Sequence, residues 1–336
     1  MKAVLMKAVM VRDFGAPGLA QVEEAPVPTP GPGEVLLRVA LAPVNFVDLL
    51  VIEGKYQFLP PRPFSPGKGP VGTIEAVGEG VTTLAAGDRV LAMAEQGGYA
   101  EFCLAPADQC YVLPDAVGFE AAAALSLAYD TAWFALHARG RLAEGETVLA
   151  LGASGAVGDA TVQLAKAAGA RVLAGVSSMA KAEAALAAGA DGAVDLSAPD
   201  LRASLRAQVQ ALNGGRGVDV IVDPLGGDVF DAAVRALDWC GRLVVVGFAA
   251  GRIAELKTNY LLVKNIEVSG LQISDYRKRR PAQVRACFDE VLALAAAGRI
   301  APRPVAAYPL ADYATAMEDL RARRAQGRVA LRMGEG

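Results

Sequence analysis

Histidine is almost missing from this chain of 336 residues, with His137 the single example. Cysteine is sparse as well: Cys103, Cys110, Cys240 and Cys287 are scattered, and no two form a C-x-x-C pair. Metal-dependent hydrolases and dehydrogenases draw their zinc ligands from several Cys or His side chains, and this chain does not supply them. The same scatter excludes a disulfide framework. A Ser–His–Asp hydrolase would have to use His137, which lies in the helix-like stretch AWFALHARG. A packed or surface histidine is the ordinary reading there.

An excess of one charge is also lacking. The chain has 33 Lys and Arg against 36 Asp and Glu, a net charge of −3. That balance gives no electrostatic case for nucleic acid or a membrane surface. The basic run Arg277 to Arg280 is short and reads as a solvated loop. Apolar residues make up 53% of the chain, yet no apolar run reaches the ~18 to 20 residues of a spanning helix. Alanine explains the apolar share. Lys2 and Lys7 interrupt any signal-peptide pattern, so the expected location is the cytoplasm. The length suggests two domains with ample core. MKAV occurs twice in the opening MKAVLMKAVMV; an extension at the start is a simpler account than a structural repeat.

What is present is a dinucleotide-site pattern in TVLALGASGAVGDATVQLAKAAGARVLAGVSSMAK. Val148 to Leu151 reads as a buried strand. Gly152, Gly155 and Gly158 follow at G-x-x-G-x-x-G spacing, with Ser154 inside the turn. A helix pattern runs from about Val157 to Ala168, and a second apolar run starts at Arg171. Strand, glycine turn and helix in that order set backbone N–H groups and a positive helix end against a pyrophosphate. A Cβ at the glycine positions would block the tight turn or the close approach.

The end of the second strand selects the nucleotide. An NAD site usually carries Asp or Glu about 20 residues on, for the ribose 2′-hydroxyl. Here Val176 is followed by Ser177, Ser178 and then Lys181. Two hydroxyls and an ammonium suit a 2′-phosphate, which favours NADPH over NADH. The plainer reading is that the two serines cap the next helix and Lys181 is solvated.

The first 120 residues are rich in Pro, Gly and short β-like runs, such as EVLLRVALAPV, VGTIEAVG, DRVLAMA and YAEFCLA. They predict a compact β domain. From about Phe119 the texture turns to alanine-rich helix. Six strands with helices between them are then expected at Val148–Leu151, Val172–Val176, Ala193–Leu196, Val218–Asp223, Leu243–Val246 and Ile266–Gly270. This is the pattern of a doubly wound parallel sheet. A helix from Ala282 to Ala297 and a mixed segment from Tyr308 to Met333 remain. They are too short for a domain, so the segment is expected to fold back on the first one.

In co-linear order, VNFVDLLVIEGKY, IEAVGEGV, GDRVLA, GGYAEF, the glycine turn, GGRGVDVIVDPLGGDVFDAAVRAL, GRLVVVGFAAG and NYLLVKNIEVSG resemble the zinc-independent quinone oxidoreductase (zeta-crystallin-like) branch of the medium-chain dehydrogenase/reductase superfamily. The likeness runs from about Met6 to Met333. It implies an α/β fold: a GroES-like, β-rich catalytic domain from residues 1–121 and 271–336, a Rossmann domain over 122–270, and a cofactor in the cleft. Zinc-dependent cousins place Cys where this chain has Asn45 and G-H-E where it has Gly67-Lys68-Gly69. The resemblance and the residue count thus agree on an enzyme without metal.

Carried over by resemblance, Asn45 and Tyr56 lie beside the nicotinamide and substrate, and Thr131 near the nicotinamide ribose. Gly155, Ala156 and Val157 form the pyrophosphate turn, and Ser178 and Lys181 take the 2′-phosphate side. Phe248 flanks the nicotinamide amide, and Arg323 closes over the cofactor. Two positions depart from the pattern. Leu196 stands where some members have a Tyr against the adenosine phosphate, and Lys68-Gly69 stands where many have a small or acidic pair.

Plainer readings stand beside these. Asn45 also suits a turn, and Tyr56 an ordinary core position. Asp48 reads as a helix cap and Asp223 as a strand end that shapes the pocket. Trp133 and Trp239 read as core, and Tyr276 as either a lid or a surface residue. The resemblance implies hydride transfer from NADPH to a quinone or similar conjugated carbonyl, with Tyr56 or water giving the proton and Asn45 and Tyr56 bonding the acceptor oxygen. An enone or enoyl-thioester reductase is the alternative, for which Arg277 to Arg280 would provide a basic channel. An NADPH-binding protein without turnover is another. A homodimer is expected through the apolar strand within Leu256–Gly270.

Overall fold

A computed structural model describes residues 4–322, 324 and 327–334. The chain divides into two compact units. The first runs through Leu127 and takes back Phe288–Ala296 and the chain from Arg303 onward; the second is Ala128–Cys287 with Ala297–Pro302. The expected boundaries at 121/122 and 270/271 therefore shift. The helix at Phe119–Leu125 stays whole in the first unit, and the chain from 271 to Cys287 belongs to the second.

The first unit begins with a hairpin of β1 (Leu5–Met10) and β2 (Gln21–Pro26). It continues with β3 (Glu34–Pro43), α1 (Phe46–Ile52), β4 (Val71–Val77), β5 (Arg89–Ala92), β6 (Phe102–Pro106), β7 (Cys110–Val112) and α2 (Phe119–Leu125). The long strand β3 organises its sheet. It pairs antiparallel with β4 and with β6, and most of its residues are buried. Its Val35, Leu37 and Val39 join Ile74, Val90 and Phe64 in one core.

The second unit starts with α3 (Ala128–Trp133), which runs into a π-helical stretch at Phe134–Arg139. Then come β8 (Thr147–Leu151), α4 (Ala156–Ala167), β9 (Arg171–Val176), α5 (Ala182–Ala187), β10 (Gly192–Asp195), α6 (Leu201–Leu212), β11 (Val218–Asp223) and α7 (Gly227–Ala233). They are followed by β12 (Leu237–Val245), α8 (Asn259–Lys264), β13 (Glu267–Gly270), α9 (Ile273–Arg279) and α10 (Pro281–Ala296), whose last nine residues count with the first unit. The six strands pair in parallel in the order β10-β9-β8-β11-β12-β13. All five residues of β8 are buried, as expected of a central strand covered on both faces. Each expected strand is present.

Two expectations fail in β12. The strand starts at Leu237, and its register against β11 is broken between the Val218 and Val220 pairings. That irregularity turns Trp239 outward, 70% exposed, so it is no core residue. Trp133 is only half-buried.

The chain then returns to the first unit through β14 (Val305–Pro309), α11 (Tyr313–Arg321) and β15 (Arg328–Arg332). β15 pairs antiparallel with the end of β3, Leu331 opposite Ala42, so the tail folds back on the first domain as expected. The GroES-like β-rich domain and the Rossmann parallel sheet are the fold that the chain adopts. Among the described residues, no helix is long and apolar enough to cross a membrane.

Candidate functional site

In the second unit, β8 and β11 are the neighbours at which the strand order reverses. A doubly wound sheet binds nucleotides beyond the carboxyl ends of such strands. There the chain turns at Gly152, whose φ of +64° suits glycine. Gly155 is the N-cap of α4, and its N–H bonds Gly152 O at 2.8 Å. A Cβ on Gly158 would stand 2.6 Å from Gly152 C and 2.7 Å from Ala153 Cα, so helix and strand approach this closely only with glycine. Gly155 is less constrained than expected: its Cβ would meet only Gly152 O, at 3.3 Å. Ser154, Ala156 and Val157 are half-exposed at this helix end. A twelve-residue helix presents its unpaired first-turn N–H groups here. The cradle that a Cβ would fill, set at the switch point, fits a dinucleotide pyrophosphate.

Beyond β9, Ser177 is exposed, and the Lys181 ammonium lies 3.4 Å from its hydroxyl. Ser178 is the N-cap of a short turn at Met179–Lys181, but its side chain caps nothing. The Ser178 hydroxyl is therefore not used as a helix cap.

Thr131 is buried on α3. Its N–H and hydroxyl both meet Asp130 Oδ1, at 2.7 and 3.4 Å. Asp130 Oδ2 accepts from Arg277 Nη2 at 2.6 Å, with the two side chains 0% and 2% exposed. This corrects the reading of Arg277–Arg280 as a solvated loop: the run closes a helix, Ile273–Arg279, and its first cation is buried. Arg277 is an interior cation, and only Lys278, Arg279 and Arg280 face solvent. Tyr276 packs on Phe134, with ring centroids 4.5 Å apart. His137 lies beside Trp133, with ring centroids 5.0 Å apart.

At the end of β11, Asp223 Oδ1 accepts from the N–H groups of Leu225 and Gly226, at 2.8 and 3.0 Å. Its Oδ2 is buried without a partner. Burial raises this carboxyl above its ordinary range, against the pull of the Gly226 and Leu225 N–H groups. Phe248, 44% exposed, follows β12. Its ring leaves no room at Gly226, where a Cβ would meet Phe248 Cδ1 at 2.9 Å. Arg323 lies outside the described residues.

A second polar group sits in the first unit. Asn45 caps α1, and Asp48 Oδ2 accepts from Asn45 N at 3.0 Å, Asn45 Nδ2 at 3.1 Å and Tyr99 OH at 3.0 Å. Asn45 Nδ2 also faces Pro43 O and Lys68 O, at 3.3 and 3.2 Å, and its Oδ1 accepts from Arg328 Nη2 at 3.0 Å. Both polar ends of Asn45 are thus engaged inside the unit, and it is buried. The geometry makes it a tie between α1, the Lys68 turn and β15, so the hydrogen bond to an acceptor oxygen expected of it has no donor to spare.

Burial pushes the Asp48 carboxyl up to about 6, although the Lys68 charge and the bonds from Asn45 and Tyr99 pull it down. Burial, then the Asp48 charge, holds the Tyr99 hydroxyl well above its ordinary range, so it remains a donor. Lys68 is buried and pairs with Glu95. Tyr56 is half-buried, with its ring centroid 5.7 Å from Lys68 Nζ. Tyr99, Arg328 and Glu95 are additions that sequence reasoning missed. The GGYAEF stretch held Tyr99 without marking its role; Arg328 carries no local signal, because the pairing of β15 with β3 delivers it. Among the described residues, no group of three or more His, Cys, Asp or Glu side chains can hold a metal ion.

Residues 31–115 match the family model for the alcohol dehydrogenase GroES-like domain, and 156–295 that for zinc-binding dehydrogenase. Quinone oxidoreductase-like protein 2 of Mus musculus is 36% identical over 310 residues, covering 92% of this chain and 87% of the relative. The quinone oxidoreductase of Mus musculus is 34% identical over 318 residues, 94% of each chain. The solved structure of mycobacterial Rv1454c complexed with NADPH matches with a TM-score of 0.90 at 33% identity, covering 98% of this chain and 100% of that one.

Proposed function

Because the chain belongs to the quinone oxidoreductase family of the medium-chain dehydrogenases/reductases, we propose that it reduces a quinone or similar conjugated carbonyl with NADPH and without a metal. The observation that carries the cofactor choice is the end of β9, where Ser177, Ser178 and Lys181 stand and no carboxylate repels a 2′-phosphate. The mycobacterial relative solved with NADPH supports the same choice. NADPH, when bound, supplies the hydride. The turn of Gly152, Gly155 and Gly158 with Ser154, Ala156 and Val157 receives its pyrophosphate, and Ser177, Ser178 and Lys181 its 2′-phosphate. Thr131 and Phe248 serve the nicotinamide end. Asn45 acts as a positioning residue that holds the Lys68 turn, and Tyr56 is a wall for the acceptor.

A quinone is preferred over an enoyl thioester, because burial of Arg277 removes one cation from the run that a charged thioester would use. Cys103, Cys110, Cys240 and Cys287 stand outside any disulfide, which fits a reducing compartment such as the cytoplasm. A homodimer through the outer edge of β13 completes the proposal. The test of the acceptor is turnover of NADPH with a 1,4-quinone and with a simple enone in parallel. Faster reduction of the quinone is expected. Turnover of the enone alone would move the chain to the double-bond reductases, and tight NADPH binding with neither acceptor reduced would favour a binding role.

A further inference from the structure

Arg202 and Arg206 stand one turn apart on α6, an i,i+4 pair of like charges that weakens a helix instead of supporting it. Both are exposed. Arg235 Nη1, from just beyond α7, donates to the Arg202 backbone oxygen at 3.3 Å, so a third cation is held against them. Lys264, the last residue of α8, supplies a fourth. Its ammonium donates to the backbone oxygens of Arg235 and Leu237, at 2.8 and 2.7 Å. One turn before it, the Tyr260 hydroxyl accepts from Arg202 Nη2 at 3.3 Å and ties α8 to α6. All of these residues belong to the second unit, and hydrogen bonds link Arg202, Arg235, Lys264 and Tyr260 into one cluster.

Among the described residues, no carboxylate pairs with any of the four cations. The acids near them in sequence are engaged elsewhere. Asp200 caps α6 through Ala203 N at 3.2 Å. Asp238 accepts from Arg216 Nε and Trp239 N, at 3.1 and 2.9 Å, and Glu267 is held by Arg141. Arg235 and Lys264 are half-buried. Burial, and then the Arg206 charge, lowers the Lys264 ammonium from its ordinary range, and the Asp238 charge offsets this only in part. The ammonium has three protons. Two go to the carbonyls, and the third has no acceptor among the described residues. Like charges drawn together without a counter-ion destabilise the fold, so an anion that joins them explains the cluster better than packing does. Guanidinium forks and an ammonium match phosphate oxygens. The cations gather at one place instead of along a stripe, and the net charge is −3, so a small ligand suits them better than a nucleic-acid backbone.

We propose that Arg202, Arg206, Arg235 and Lys264 bind a small ligand with two or more linked phosphates, either a nucleoside polyphosphate or free polyphosphate. The half-buried Arg235 and Lys264 are the fixed part of the site, held by backbone carbonyls. The exposed Arg202 and Arg206 are the adjustable part. The Tyr260 oxygen already accepts from Arg202, which leaves its own proton for a phosphate oxygen. Linked phosphates carry the several negative charges that four cations call for. The site is built from α6, the end of α7 and α8. It shares no residue with the glycine turn or with Ser177, Ser178 and Lys181, so it does not depend on the NADPH reading.

The full chain, with NADPH present in excess to fill the dinucleotide site, is titrated calorimetrically with tripolyphosphate and with ATP at low salt, where charges are least screened. One site per chain is expected. Arg202→Gln and Arg206→Gln should each weaken the anion about tenfold, while Lys181→Ala leaves it within about twofold. Thermal unfolding of the chain without NADPH adds a readout that a structural role would not give. Arg206→Gln should keep or raise the Tm of the ligand-free chain, since a like charge is removed. It should also lose most of the rise in Tm that tripolyphosphate gives the wild type. Similar affinity for the two ligands assigns the site to phosphates alone and tighter ATP assigns it to a nucleotide; either supports the proposal. No binding at millimolar anion, binding that Arg206→Gln leaves unchanged, or binding that Lys181→Ala abolishes would overturn it. Tighter binding of a glutamate-rich peptide than of either phosphate ligand would overturn the choice of ligand. A chain that binds no NADPH would end the cofactor reading alone, because the arginine variants and Lys181→Ala still decide this site.

Discussion

The Tyr99 hydroxyl donates to Asp48 Oδ2 at 3.0 Å, and both side chains are sealed from solvent. The bond fixes the first turn of α1 to the segment before β6, and it gives the fold a pH dependence. An unfolded aspartate titrates near pH 3.9, whereas Asp48 titrates at about 6 in the fold. The folded chain therefore holds the extra proton between these values. The contribution of Asp48 is most favourable below the unfolded pKa and is lost as pH rises through about 6, by at most about 3 kcal/mol. Subtracting the urea-unfolding free energy of Asp48→Asn from that of the wild type should leave a curve that declines between pH 4 and about 6 and is level above 7. A difference independent of pH would contradict this.

Arg277 and Asp130 form a pair sealed inside the second unit. Removing one partner strands the other charge, which costs about 3–5 kcal/mol. Arg277→Met should lower the urea midpoint by a corresponding amount. The double variant Asp130→Asn/Arg277→Met should recover part of that loss, since no charge is then left unpaired. A loss below about 1 kcal/mol in the single variant would mean that the pair is open to water.

Lys181 stands 3.4 Å from Ser177 and is exposed. Its assigned partner is the 2′-phosphate, and a charge-assisted hydrogen bond is worth about 1.5–3 kcal/mol. Lys181→Ala should raise the Kd of NADPH about ten- to hundredfold and leave that of NADH within about twofold, as measured by nicotinamide fluorescence. An equal effect on both would remove its phosphate role.

The proposed dimer has its own signature. β13 is the last strand of the second unit's sheet, and the neighbouring α8 leaves Leu262 81% and Val263 74% exposed. An open strand edge beside apolar side chains invites pairing with a second copy. Light scattering at micromolar concentration should give the mass of two chains, and Leu262→Asp/Val263→Asp should give that of one. A wild-type monomer would end the proposal.

The six strands of the second unit were legible because buried parallel strands are continuous apolar runs, as VLAL and VIVD are. The glycine turn was legible because Gly152 and Gly158 answer to backbone geometry that local sequence dictates. Long-range pairing was not. Arg277 read as one of four surface cations, because its partner Asp130 lies 147 residues away. Arg328 reaches Asn45 across 283 residues through strand pairing alone. Lys68 was visible as a departure from the family pattern, but its ion pair with Glu95 depends on how the first unit's loops close. Trp239 looked like core because the irregularity in β12 that turns it outward has no mark in its composition.

The most direct measurement of the central claim is kcat/KM for NADPH and for NADH with the same 1,4-quinone, followed by nicotinamide absorbance. The account predicts turnover with a preference for NADPH of at least about tenfold. Equal use of the two cofactors, or a preference for NADH, would contradict the reading of Ser177, Ser178 and Lys181 as a 2′-phosphate site. No oxidation of either cofactor would contradict quinone reduction itself.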